Sequence, residues 1–107
     1  MDDATRLFNE GRFFAAHELW EDAWRAESEP VRKQRLQGLA QLAAALVKLG
    51  QGSRPGAQRI LERAAANLSA AGPGSDPWDT ARAVEQMQGW LDDPSRARLT
   101  LSTHQPG

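Results

Sequence analysis

The chain has 107 residues, 40% of them hydrophobic and 25% charged, and a formal net charge of −1. This length predicts one domain with a modest core. The near-neutral charge gives no sign of the clustered Lys and Arg side chains that neutralise a phosphate backbone, so we expect no nucleic-acid partner.

The chain contains no cysteine. Disulfides and thiolate metal sites are therefore excluded within it, and a metal would need nitrogen and oxygen ligands. No apolar run approaches the roughly 20 residues that cross a bilayer. The acidic start, MDDATR, differs from the basic start of a signal peptide. We expect a cytoplasmic protein that does not bind membranes.

Hydrophobic spacing predicts an all-α fold, a compact bundle of about five helices in one domain over residues 1–107. The first predicted helix is short, from about Asp3 to Asn9, and Gly11 then turns the chain. The second predicted helix runs from about Arg12 to Ala26.

A long third helix is predicted from Ser28 and Pro30 to about Leu49, because Ser caps helices and Pro suits their first turn. Its apolar residues cover most of the circumference, which predicts a central buried helix. The remaining polar residues form one strip, for which solvent exposure is the simplest expectation: Gln34, Gln37, Gln41 and Lys48.

A fourth helix is predicted from a cap at Ser53 to about Ala71. The sequence GPGSDP, residues 72–77, is the clearest loop in the chain. A fifth helix is predicted to start at Asp76 and continue through Leu91, and residues 94–107 are predicted to be an irregular tail.

Two segments of the chain align without gaps, GRFFAAHELWEDA at 11–23 and GSRPGAQRILERA at 52–64. Gly11 matches Gly52, and Ala16 matches Ala57. The pattern resembles the second helix of a tetratricopeptide hairpin, in which small residues let helices approach closely. Two copies are fewer than the three or more that an array needs, which favours a closed bundle.

An aromatic stripe on the second predicted helix contains two polar residues. At about 100° per residue, His17 and Glu21 fall on the same arc as Phe13, Trp20 and Trp24. The spacing i, i+4 makes His17 and Glu21 neighbours. A carboxylate and an imidazole in an apolar setting must be paired, since burying either alone costs several kcal/mol.

Three interpretations of this pair remain open. In the structural one, His17 and Glu21 satisfy each other inside the core. In the metal one, they hold a divalent ion, as in helical-bundle metal sites, with further ligands from Glu18, Gln41, Glu62 or Glu85. In the catalytic one, Glu21 orients His17 as a general base and Trp24 or Trp20 walls a small pocket.

The segment HELWE begins like the zincin motif His-Glu-x-x-His, but Glu21 stands where that motif needs its second histidine. Peptidase chemistry is therefore disfavoured. The other histidine, His104, lies in the predicted tail.

His17, Glu21 and Trp24 also match the signature His-x-x-x-Glu-x-x-Trp/Tyr. At these residues the chain resembles a family of small all-helical domains of unknown function from bacteria and archaea. The resemblance covers roughly residues 5–70 and includes LQGLAQLAAAL, where Ala40 replaces a usual isoleucine. It implies a compact helical bundle. Metal binding has been suggested for the signature, and no activity is established for the family.

The resemblance adds Glu18, Gln37, Gln41 and Trp24 as candidate ligand-binding residues. If the glutamine strip faces His17, its amides would complete a polar pocket. Gly38, between the two glutamines, is expected to permit close helix packing rather than chemistry.

We predict that a small polar pocket at His17, Glu21 and Trp24 binds a divalent metal or a small ligand. Hydrolytic or acid–base chemistry by His17 and Glu21 is one extension of this prediction, and the sequence leaves open whether the protein is an enzyme. The alternative is a tetratricopeptide-like interaction module with a protein partner or a second copy. Such a module needs an exposed apolar patch, for which Trp78 and Trp90 are candidates.

Overall fold

A computed structural model describes residues 3–72 and 80–92 of the chain. These residues form α-helices joined by short turns, with no strand among them, which confirms the all-α prediction. The helices are α1 (Asp3–Asn9), α2 (Phe13–Ala26), α3 (Pro30–Gly50), α4 (Arg54–Ala71) and α5 (Thr80–Asp92). The predicted start of the fifth helix at Asp76 and the predicted tail lie outside the described residues.

The turn between α1 and α2 is a Schellman motif. Gly11 has a φ of 86°, a left-handed conformation that glycine adopts without the steric penalty of a Cβ atom. Its N–H donates to the Phe8 carbonyl at 3.0 Å, and the Arg12 N–H donates to the Leu7 carbonyl at 2.8 Å. These two bonds satisfy carbonyls that the end of α1 would otherwise leave without partners.

The turn between α3 and α4 repeats this motif, with Gly52 at a φ of 88°. The Gly52 N–H donates to the Leu49 carbonyl and the Ser53 N–H to the Lys48 carbonyl, each at 3.0 Å. The aligned glycines of the two segments therefore have the same backbone role. The similarity of the two aligned segments therefore has a structural basis, because α1–α2 and α3–α4 are two helical hairpins with the same connecting turn.

The two hairpins differ in how far their second helices are covered. The aligned pair Ala16 and Ala57 is fully buried in both hairpins, whereas Ala23 is exposed and its counterpart Ala64 is buried. With seven residues, α1 is only about 10 Å long and covers the first half of α2. With 21 residues, α3 extends along the whole of α4.

Helix α3 lies at the centre of the bundle, between α2 on one side and α4 on the other. Its buried residues include Leu39, Leu42 and Leu46, as its apolar circumference predicted. A Cβ atom on Gly38 would lie 2.7 Å from Leu68 Cγ. The glycine therefore permits close contact between α3 and α4, as expected.

The start of α3 corrects one prediction. The residue at the N-cap is Glu29 rather than Ser28, and its carboxylate accepts a hydrogen bond from the Arg32 N–H at 2.7 Å. The Ser28 N–H instead donates to the side chain of Glu27 at 3.2 Å. Glu29 therefore caps α3 in place of the predicted serine.

Polar contacts also join the helices. The guanidinium of Arg35, which is 6% exposed, donates to the carbonyls of Ala71 and Gly72 at the end of α4. The side-chain amides of Gln58 on α4 and Gln88 on α5 exchange two hydrogen bonds of 3.0 Å. Within the described residues, no helix is long and apolar enough to cross a membrane.

Candidate functional site

His17 bridges α2 and α3. Its Nδ1 lies 2.9 Å from the carbonyl oxygen of Ala40 on α3, and its Nε2 lies 2.7 Å from a carboxylate oxygen of Glu21, one turn along α2. The side chains of His17 and Glu21 are 27% and 28% exposed, so both are partly shielded from water. The predicted pairing of the two residues is present.

The partners of His17 determine where its protons lie. A carbonyl oxygen can only accept a hydrogen bond, so Nδ1 carries a proton and donates to Ala40. A carboxylate of Glu21 likewise only accepts. With a proton on Nδ1, the ring turns Nε2 towards the Glu21 carboxylate, which is not among the described residues that line a pocket.

Glu21 contacts two side chains of its own helix. Its second oxygen forms an ion pair with Arg25, one further turn along α2, while Arg25 also approaches Asp22 at 4.0 Å. On the helical wheel Arg25 falls away from the aromatic arc, which predicts a solvated side chain, and it is 64% exposed while it pairs with Glu21. The resulting ladder His17–Glu21–Arg25 runs along one face of α2.

A pocket of about 250 Å³ lies beside His17, in the groove between α2 and α4 with α3 as its floor. The ring of His17 is stacked on Phe14, with centroids 6.4 Å apart and planes inclined by 24°. These two rings form the α2 wall. The other lining residues come from α3, from the residue just after it, and from α4: Ala44, Val47, Lys48, Gln51 and Ile60.

Trp20 and Trp24 are not among the residues that line this pocket. Trp20 is 2% exposed and packs against Phe8, with ring centroids 5.6 Å apart. Trp24 lies seven residues from His17, where Lys33 Nζ sits 5.6 Å from its ring centroid. The aromatic wall of this pocket is therefore Phe14 with His17, and a wall formed by Trp24 or Trp20 stays a prediction.

The glutamine strip of α3 does not close around His17. Gln41 Oε1 accepts a hydrogen bond of 2.6 Å from the Asn67 side chain on α4, and Gln34 donates to the same Asn67 at 3.4 Å. These glutamines therefore link α3 to α4 rather than facing water or completing a polar pocket. Gln37 is half-buried on α3, and Glu18 is exposed on α2.

The other acidic residues considered as metal ligands do not converge on His17. Glu62 and Glu85 are exposed on α4 and α5. Among the described residues, no group of three or more His, Cys, Asp or Glu side chains could hold a metal ion. The other histidine, His104, lies outside the described residues.

The hairpin repeat supplies a structural interpretation of His17. The position of His17 in the first hairpin corresponds to Gln58 in the second. His17 on α2 reaches the Ala40 carbonyl of α3, and Gln58 on α4 reaches Gln88 of α5. In both hairpins this position carries a polar link to the following helix.

A family model described as Domain of unknown function (DUF309) matches residues 1–60. This match covers more than half of the chain. The chain belongs to this family. No curated protein and no solved structure matches the chain.

The described lining of the pocket lies within the matched part of this DUF309 chain. Phe14 and His17 stand in the first third of the match and Ile60 at its end. The match also contains the ladder on α2 and the Ala40 carbonyl, whereas α5 lies beyond it. The pocket residues of α3 and α4 could not be predicted from the sequence, because no local spacing shows which side chains meet across three helices.

Proposed function

We propose that this DUF309 protein binds a small organic molecule in the groove between α2 and α4. The supporting observation is the pocket of about 250 Å³, which has two aromatic rings on one wall and Val47 and Ile60 on the others. Ligand sites are typically concave and mostly apolar, with a few polar groups that orient the ligand. Here those polar groups are Lys48 and Gln51.

His17 contributes its ring rather than its nitrogens in this proposal. Both nitrogens are held by Ala40 and Glu21, so the ring is fixed as a rigid aromatic wall against Phe14. The Glu21 carboxylate positions His17 and does not line the pocket. General-base catalysis is not favoured by this arrangement, because it requires a nitrogen with a free lone pair facing the substrate.

Ala44 allows a direct test, because its small side chain leaves the floor of the pocket open. The probe is phenylacetamide, followed by changes in the backbone amide NMR signals of wild type and Ala44→Leu. We expect shifts centred on Phe14, Ala44 and Ile60 in wild type that disappear when leucine fills the floor. Ala66→Leu, the same change at an exposed position of α4, serves as the control and should behave as wild type.

Two outcomes would contradict the proposal. One is the absence of any shift at the pocket of the wild-type protein. The other is a wild-type response that persists in Ala44→Leu, since the probe would then bind elsewhere.

A divalent metal is a second candidate, favoured by one observation. Metal-binding histidines usually donate their other ring N–H to a carbonyl or carboxylate, and Nδ1 of His17 donates to Ala40. An ion between Nε2 and Glu21 would find two ligands there. Elemental analysis of chelator-free wild type and His17→Gln tests this candidate. Near-stoichiometric metal in the wild type that is lost in the variant would favour a metal site over the organic-ligand site.

The interaction module has weaker support in the described residues. The large apolar side chains exposed there are Phe14, Leu19 and Val31. Phe14 and Leu19 lie about 140° apart around α2 at the usual 100° per residue, so they do not form one patch. Trp78 and the side chain of Trp90 lie outside the described residues.

A further inference from the structure

The polar groups that line the pocket are of one kind, a feature that the family assignment does not explain. Among the described residues, its lining contains one ammonium group, on Lys48, and one side-chain amide, on Gln51, but no carboxylate. The nearest acidic group of the His17 ladder, Glu21, is already engaged by the imidazole and by Arg25. A ligand in the groove therefore meets hydrogen-bond donors and a positive charge without an opposing negative charge.

We propose that the ligand of this groove is a small organic acid, an apolar ring or short chain that carries a carboxylate. The inference rests on the proposed function and specifies the chemical class of its ligand. The apolar body would lie between the rings of Phe14 and His17 and the side chain of Ile60. The carboxylate would face Lys48 and Gln51.

The position of Lys48 supports this assignment. Its stem lies against the first turn of α4, where Lys48 Cδ is 3.8 Å from the point that a Cβ atom on Gly56 would occupy. The stem thus packs on protein while the charged end stays free to meet solvent or a ligand. Among the described residues, no acidic side chain lies within ion-pair distance of Lys48.

The size of the groove limits the ligand. The pocket of about 250 Å³ lies just below the usual range of ligand sites, about 300–1,000 Å³. A ligand with about ten non-hydrogen atoms is of this size. Such a fragment is expected to bind with a Kd near the millimolar range, as its few atoms limit the free energy of binding.

The test compares phenylacetate with phenylacetamide, two probes of the same shape that differ in charge. Their Kd values are measured by NMR titration of the full chain at neutral pH and low salt. We expect phenylacetate to bind about fivefold more tightly to wild type, because attraction to a solvent-accessible ammonium is worth about 1 kcal/mol. The preference should disappear in Lys48→Gln.

Lys33→Gln is the matched control. It removes the same charge from the same helix at a position 15 residues away, about 22 Å along α3, and should keep the preference for phenylacetate. Equal Kd values for both probes in wild type would overturn the organic-acid assignment and leave the groove as a ligand site. A preference that survives in Lys48→Gln would overturn it as well. Failure of both probes to shift pocket signals would refute the proposed function itself.

Discussion

Replacing His17 by alanine should destabilise the protein measurably, because the side chain links two helices. The substitution removes the hydrogen bond to the Ala40 carbonyl, which is part-buried and worth about 1 kcal/mol. It also removes the contact with Glu21, worth about 0.5–1 kcal/mol at this partial exposure. The higher helix propensity of alanine offsets about 0.5 kcal/mol of this loss. We expect a net loss of about 1–1.5 kcal/mol.

A double-mutant cycle with Glu21→Ala isolates the part of this loss of stability that comes from the contact between His17 and Glu21. Unfolding in urea, followed by far-ultraviolet circular dichroism, gives the four free energies. The expected coupling between His17 and Glu21 is about 0.5–1 kcal/mol. The exposed i, i+4 pair Arg6–Glu10, at 3.8 Å, is the reference cycle. Its coupling should stay below about 0.5 kcal/mol.

His17→Gln separates the interhelical link from the ion pair. Glutamine already occupies the corresponding position in the second hairpin, at Gln58, where its amide bonds to α5. We expect this variant to retain more stability than His17→Ala, because an amide can still donate to the Ala40 carbonyl. If His17→Ala unfolds at the same urea concentration as wild type, the argument that His17 links α2 to α3 is refuted. A coupling no larger than that of Arg6–Glu10 would refute the contribution of the pair.

Three further predictions concern the packing of the helices around the groove. Gly38→Ala should lower the free energy of unfolding by about 1 kcal/mol, because its Cβ would crowd Leu68. The control Gly50→Ala, with no atom within 4 Å of the added Cβ, should be neutral or stabilising in the same urea titration. Arg35→Met should lower the free energy of unfolding by about 1.5–3 kcal/mol and accelerate amide hydrogen exchange at the end of α4, since two carbonyls lose a charged donor. Unchanged exchange there would contradict this role. Gln58→Ala should raise the amide exchange rates of α5, which loses a paired amide contact, and leave those of α2 unchanged. Equal acceleration in both helices would argue against a local link.

The pair on α2 shows which part of the candidate site can be predicted from the spacing of residues in the sequence. His17 and Glu21 are one turn apart, so their contact follows from helix geometry as soon as α2 is assigned. Arg25 extends the ladder by the same spacing. The partner of Nδ1 could not be read in this way, because a backbone carbonyl has no sequence signature. Only the packing of α2 on α3 selects Ala40.

The glutamine strip shows the opposite case. Its spacing correctly placed Gln34 and Gln41 on one side of α3, but both exposure to water and contact with His17 were compatible with that spacing. The structure directs them to Asn67 on α4. The choice depends on which neighbouring helix lies against that side, and this is decided by contacts between residues more than 20 positions apart.

By itself, the sequence determined the helices of the described residues, the glycine turns that join them in each hairpin, and the polar pair on α2. These features depend on residues within about one turn of each other, where backbone geometry and hydrophobic period act directly. The tertiary structure alone decided that Phe14, rather than Trp24, borders the groove, and that Lys48 and Ile60 reach it from α3 and α4. The physical reason is that a groove is formed by the packing angles and distances of three helices, which close core contacts such as Gly38 on Leu68 set.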